Sequence, residues 1–240
     1  EQLQVIHNRN YGGSGGFTRG LMEQVNQGTN NYVLMMDDDI LIETSSLERV
    51  YALCQHIKNQ YAQQMIAGSM MSMDEPTIQY ENTAYWGKVR LHSLGQGFDL
   101  TAIEDLIKND QLPLKQNKYA AWWFCCIPMA VVRKNGYPLP NFIKGDDMEY
   151  GIRNRRDIIT MNGIGVWHEA FAKKMSSVVN YYSDRNMLIL NEFADGCGRG
   201  TVFFSMIARL GRRILRGDTV GIRIFESAVR DYMSGYEGIT

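Results

Sequence analysis

Apolar and polar positions along the chain fall into two periods. Residues 32–36 and 65–73 are apolar almost throughout and read as strands buried on both faces, and residues 4–7 read as a short strand before them. Between these runs lie stretches with helical spacing. One covers residues 17–27 and is opened by the GGSGG segment at residues 12–16. A second runs to about residue 61; Thr44 or Ser45 would cap it, and Glu48 would complete a capping box. The order strand, helix, strand, helix, strand predicts a parallel α/β sheet. Residues 74–118 lose the period and predict loops, an antiparallel excursion and a short helix over residues 100–109. Regular patterning returns with a strand at 118–127, a short helix at 128–134 and a helix at 146–156 with an acidic first turn. Short strands at 158–161 and 164–167 and a long helix at 178–192 follow, then two helices near 201–216 and 220–234.

One junction in this pattern is chemically odd. The apolar run YVLMM ends in Asp37, Asp38 and Asp39 and then turns apolar again. Three like charges repel, and beside a buried strand they are costly to desolvate. In an open α/β sheet, ligands bind beyond the carboxyl ends of strands. Alternation puts Asp37 and Asp39 on one side and Asp38 elsewhere, which makes a hard-cation site. A solvated turn is the plain alternative, against which the burial expected on both sides counts. Asp146 and Asp147 follow Gly145 at a loop–helix junction, where adjacent carboxylates can supply a general base or simply start a helix. His168 lies beyond a short strand between Trp167 and Glu169; imidazole would give a two-carboxylate site a third ligand and suits Mn²⁺ better than Mg²⁺.

Composition works mainly by exclusion. Among 240 residues, 25 Lys and Arg face 26 Asp and Glu, for a net charge of −1. No global field draws in nucleic acid, and none is expected as a partner. The cysteines, Cys54, Cys125, Cys126 and Cys197, form no C-x-x-C pair and read as free thiols of a reducing, cytoplasmic compartment. No apolar run reaches the roughly 20 residues that span a bilayer. The chain opens with EQLQVIHN, without a methionine or a visible signal peptide, as an excised domain or fragment would.

Six segments carry a family resemblance: NRNYGGSGGFTRG, YVLMMDDDI, AAWWFCCIP, PLPNFIKGDDMEYGIR, VWHE and YYSDRN, spread over residues 8–186. Together they resemble metal-dependent inverting glycosyltransferases of the GT-A fold in glycosyltransferase family 2, and more closely bacterial galactofuranosyltransferases. The resemblance implies a mixed, mostly parallel sheet flanked by helices. Residues 1–198 would form the catalytic domain, beginning late in its nucleotide-binding half, and residues 199–240 a helical extension. It implies that Asp37, Asp39 and His168 hold a divalent ion, Mn²⁺ or Mg²⁺. Asn10, Gly12, Gly13 and Asp38 would meet the UDP-sugar donor, Asp147 would be the general base, and Trp122, Trp123 and Asp146 would meet the acceptor. Either tryptophan could equally be a core aromatic. Polymerising members carry a tryptophan just before the acidic pair, where this chain has Gly145.

The expected reaction is inverting transfer of galactofuranose from UDP-galactofuranose to a cell-surface glycan or lipid-linked acceptor. A transferase using another nucleotide sugar, such as a rhamnosyl donor, would share the fold and base. A non-catalytic sugar-binding module would not need all four of Asp37, Asp39, Asp147 and His168. A nucleotidyltransferase would require a basic residue at a phosphate loop, for which only Arg19 is near. The stretch IARLGRRILR in the tail reads either as an amphipathic helix in peripheral contact with the inner face of the membrane or as a helix packed on the core.

Overall fold

The fold comes from a computed structural model that describes residues 3–155, 157–169 and 176–235. The chain runs α1 (Gly12–Gln27), β1 (Tyr32–Met36), β2 (Leu41–Ile42), α2 (Thr44–His56) and β3 (Met65–Ser72). Then come β4 (Gln79–Glu81), β5 (Thr83–Gly87), β6 (Arg90–Leu94), α3 (Ile103–Asp110), β7 (Lys118–Tyr119), β8 (Phe124–Pro128) and α4 (Met129–Asn135). It closes with α5 (Asp146–Asn154), β9 (Ile158–His168), α6 (Ser177–Phe193), α7 (Arg199–Leu215) and α8 (Thr219–Met233).

The main sheet has the order β1-β8-β3-β9-β2, with β4 added against the end of β3. Strands β1, β3 and β9 run one way. β1 and β3 are not neighbours, because β8 inserts between them antiparallel to both; β3 and β9 pair in parallel. The predicted α/β class, mixed sheet, flanking helices and C-terminal helices are all present. The antiparallel excursion is the small sheet β6-β5-β7.

Several boundaries differ from expectation, each for a physical reason. Residues 4–7 form no strand. The helix expected from residue 17 starts at Gly12, so most of the glycine segment is helical. The N-cap of α2 is Glu43 rather than Thr44 or Ser45, and it makes no side-chain cap; the helix stops at His56, before a separate 3₁₀ turn, Asn59–Tyr61. The strand expected at 118–127 is broken into β7 and β8. The two short strands expected after residue 158 are one, β9. Its register with β3 jumps from Ala67 opposite Thr160 to Ser69 opposite Gly165, so residues 161–164 form a bulge that keeps Ile164 in the core. There Asn162 donates to the Leu106 carbonyl (3.0 Å) and accepts from Asn109 (2.7 Å), tying the bulge to α3. Helix α5 ends at Asn154, with Arg155 in the left-handed region; the expected end at residue 156 lies outside the described residues.

Apolar side chains fill both faces of the sheet. On one, Leu21 of α1, Ile127, Met129 and Tyr150 pack with Trp122; on the other, Val50 of α2, Ile66, Met70 and Ile164 pack with Trp123. Adjacent tryptophans thus serve opposite faces. A third cluster joins Trp86 and Val89 to Met187, Leu188 and Leu190 of α6. All four cysteines are unpaired, with the Cys54 and Cys126 sulfurs 3.7 Å apart. Among the described residues, no helix is long and apolar enough to cross a membrane.

Candidate functional site

Strand β1 ends at Met36, and the chain turns through the three aspartates into β2. That short strand pairs antiparallel with the end of β9, Leu41 opposite Trp167 and Ile42 opposite Val166. This register brings Asp39 beside His168. Ligand atoms of Asp37, Asp39 and His168 lie within 4.8 Å of one another. His168 is buried; Asp37 is half-buried, and Asp38 and Asp39 are exposed.

The protonation of His168 follows from its partners. Its Nδ1 lies 2.6 Å from the Glu169 carbonyl, which can only accept, so Nδ1 carries a proton. In the neutral ring Nε2 then offers a lone pair. It faces Asp39 Oδ1 at 3.1 Å, a contact satisfied either by a second proton or by a shared cation. An anchored imidazole with a lone pair turned toward two carboxylates fits a divalent ion that accepts nitrogen and oxygen ligands.

The second acidic pair sits across a cavity of about 520 Å³ lined by Asp37, Asp146, Asp147, Trp122, Trp123 and Lys144, among others. Asp146 is 9% exposed, and Asp147 keeps part of its surface open to the cavity. Burial raises the pKa of both carboxyls. It pushes Asp146 up to about 6, with the Asp37 charge adding to the rise. Asp147 is raised further by burial and by the Asp146 charge, while the Met148 amide, donating at 2.7 Å, and Lys144 pull it back.

The loop before this pair is unusual. Phe142, Lys144 and Gly145 all have positive φ (69°, 63° and 86°). Two non-glycine residues in that region cost about 1–2 kcal/mol each. The two N–H groups of the buried Asn186 amide on α6 are shared among the carbonyls of Asn141 (3.1 Å), Ile143 (2.8 Å) and Lys144 (2.6 Å). Arg185 adds a bond to the Asn141 carbonyl at 3.0 Å. At about 1 kcal/mol net per bond, this clamp roughly offsets the backbone strain. The upstream end is tied by Glu149, which accepts from the Leu139 amide at 3.1 Å and pairs with Arg153. Arg153 in turn donates to the Asn135 and Tyr137 carbonyls.

The glycine segment belongs to the same scaffold. Gly12 has φ +68°, and a Cβ there would lie 2.1 Å from the Phe142 carbonyl oxygen. Ser14 donates from its amide to Phe142 O (3.1 Å) and from its hydroxyl to Leu139 O (2.7 Å). These contacts dock the first turn of α1 on the strained loop through the Ser14 amide and hydroxyl. Asn10 is exposed and accepts from the Gly12 amide at 3.1 Å, and Gly13 packs against Asp146.

The structure therefore gathers Asp37, Asp146, Asp147, Gly13, Trp122 and Trp123 on one cavity, with Asp39 and His168 joined to it through Asp37. Asp38 and Asn10 are not among its lining residues. Both tryptophans are nearly buried: Trp122 packs edge-on against Phe17 with ring centres 5.0 Å apart, and Trp123 donates to Gly68 O at 2.9 Å. Only part of each ring is left for a ligand. Sequence reasoning missed Glu81, a buried carboxyl on the cavity wall that accepts from Ser93, and the clamp residues Arg185 and Asn186. Nothing in the local pattern marks Glu81; YYSDRN marks the clamp as a motif without giving its role.

Residues 1–177 match glycosyltransferase-like family 2. The chain is 28% identical over 256 residues to galactofuranosyltransferase GlfT2 of Mycolicibacterium smegmatis, covering 100% of this chain and 39% of that protein. It is 31% identical over 215 residues to galactofuranosyltransferase GlfT2 of Mycobacterium tuberculosis, covering 79% of this chain and 31% of the relative. This chain thus spans well under half the length of either relative.

Proposed function

The chain belongs to glycosyltransferase-like family 2, and from that premise we propose that it carries the donor and acceptor chemistry of a metal-dependent, inverting galactofuranosyltransferase. UDP-galactofuranose is the donor, and a cell-surface glycan or lipid-linked glycan is the acceptor. Residues 1–198 are the catalytic part and residues 199–240 a helical extension.

The observation that carries this reading is the position of Asp37. It belongs to the metal-competent trio, and it also lines the cavity of the buried acidic pair, close enough to raise their pKa. A leaving diphosphate and an attacking hydroxyl need such neighbouring sites. A divalent ion held by Asp37, Asp39 and His168 would neutralise charge growing on the departing diphosphate. Asp147 accepts the proton of the acceptor hydroxyl as it attacks the anomeric carbon opposite the leaving group, inverting configuration. Desolvation and the Asp146 charge raise the pKa of its carboxyl, which makes the carboxylate a stronger base than a solvated one. Asp146 holds a second charge beside it and orients the acceptor, with the exposed parts of Trp122 and Trp123 against the sugar. Asn10, Gly12, Gly13 and Asp38 are assigned to the donor.

Calorimetric titration of UDP tests the reading. Binding should require Mn²⁺, vanish in EDTA and be lost in Asp39→Ala, and UDP release from UDP-galactofuranose should follow with a galactofuranosyl acceptor. Pyrophosphate as the product instead would mean nucleotidyl transfer. Equal UDP binding in Mn²⁺ and EDTA would remove the metal role.

A further inference from the structure

Beyond the catalytic pair the cavity opens into an annex of about 270 Å³, which shares four lining residues with it, Lys144 and Gly145 among them. The two spaces have opposite character. Among the described residues, Asp37, Glu81, Asp146 and Asp147 line the main cavity, with Lys144 as its one cation. Among the same residues, the annex is lined by Arg90 of β6, Lys144 and Arg209 of α7, and by no carboxylate. Three cations thus come from three separate elements.

The annex is also built rather than incidental. The Lys144 backbone is held in the left-handed region by Asn186, itself buried and on the annex wall. Arg209 is steadied by buried Asp184 at 3.5 Å, but the same carboxylate already takes Arg213 at 2.6 Å, so the group carries surplus positive charge. Burial lowers the Arg209 pKa, and the charges of Arg212 and Arg213 lower it further against the pull of Asp184. An anion entering the annex would relieve that repulsion.

We propose that the annex of Arg90, Lys144 and Arg209 binds a phosphoryl group of the acceptor, next to the hydroxyl presented to Asp147. The idea rests on the reading above that the main cavity takes an acceptor. Arg209 and Arg213 share the single carboxylate of Asp184, and Arg90 adds a further guanidinium from β6, a set that matches a phosphate dianion or a diphosphate; guanidinium groups fork onto such oxygens. Arg209 gives the helical extension a share in acceptor choice.

The test uses calorimetry on the whole chain in EDTA, with inorganic pyrophosphate as probe. Pyrophosphate should bind the wild type and Asp39→Asn equally, and Arg90→Gln and Arg209→Gln should each weaken it about tenfold or more. Arg90 is exposed on β6, so Arg90→Gln leaves the fold intact even if Arg209→Gln does not. No binding without metal, or undiminished binding in Arg90→Gln, overturns the proposal. So does an equal loss of UDP affinity in Mn²⁺ for Arg90→Gln, which would assign the annex to the donor. If UDP fails to bind the wild type while pyrophosphate still binds as expected, the transferase reading falls and the anion site stands. Methyl phosphate, set against phosphatidylcholine vesicles doped with phosphatidic acid, separates a soluble phosphate from a lipid-borne one; retention on either that depends on Arg90 supports the site.

Discussion

At the end of β1, Asp37 and Asp39 sit partly open to solvent, and Asp39 meets an imidazole 129 residues further along the chain. At the start of α5, Asp146 is buried and Asp147 beside it is half-buried, with Lys144 as the cation that eases their charge. Solvent and a histidine make the first cluster tolerable without ligand, and a cation would complete it. The second is held in an unfavourable state by the scaffold itself: a strained loop, a three-pronged amide and a docked helix. A site that recruits its charge partner can stay exposed, whereas a site that needs a basic carboxylate must be kept partly dry, and the fold bears that cost.

The comparison breaks most visibly on the two aspartate roles. Asp147→Asn should lower transfer by about 10²–10⁴-fold with UDP affinity in Mn²⁺ nearly unchanged. His168→Ala should instead cut Mn²⁺-supported UDP affinity by about tenfold or more. Steady-state UDP release and calorimetry on both variants separate them; similar profiles would mean that the clusters do not divide the work. A smaller effect is expected from the clamp. Asn186→Ala should cost about 1–3 kcal/mol of stability and lower kcat several-fold while leaving the donor KM alone. Stability loss with unchanged kcat would make the clamp purely structural.

The smallest effect is in pH dependence. The Asp146 carboxyl is raised to about 6 when folded, so its contribution to stability is fully present below the unfolded value near 4 and is lost as pH rises through about 6. In EDTA, the Tm of the wild type should therefore fall relative to Asp146→Asn as pH rises from about 4 through about 6. Parallel curves throughout would mean that the pair is not desolvated.

Much of this arrangement could be read from the residues. The apolar run ending in Asp37–Asp39 marked a strand end, and alternation grouped Asp37 with Asp39, whose ligand atoms lie with that of His168 within 4.8 Å of one another. The acidic start of α5 was equally plain. What periodicity cannot encode is which strand lies beside which: β8 between β1 and β3 is a long-range pairing. The helical glycines were hidden for a related reason, since the Phe142 and Leu139 carbonyls that hold Gly12 and Ser14 come from a loop more than a hundred residues later. Residue Asn186 looked like any polar residue within a helix, because its partners are backbone carbonyls without a side-chain signature.

The inserted strand also bears on synthesis. Strand β3 ends at Ser72, and the strand that must pair with it and with β1 is complete only at Pro128. At a ribosomal rate of about 5–20 residues per second, those 56 residues take roughly 3–11 s. Through that interval two apolar edges wait without their shared partner, open to pairing with any other nascent strand. Slowing elongation before residue 128 should lower the soluble yield of this protein more than slowing it afterwards.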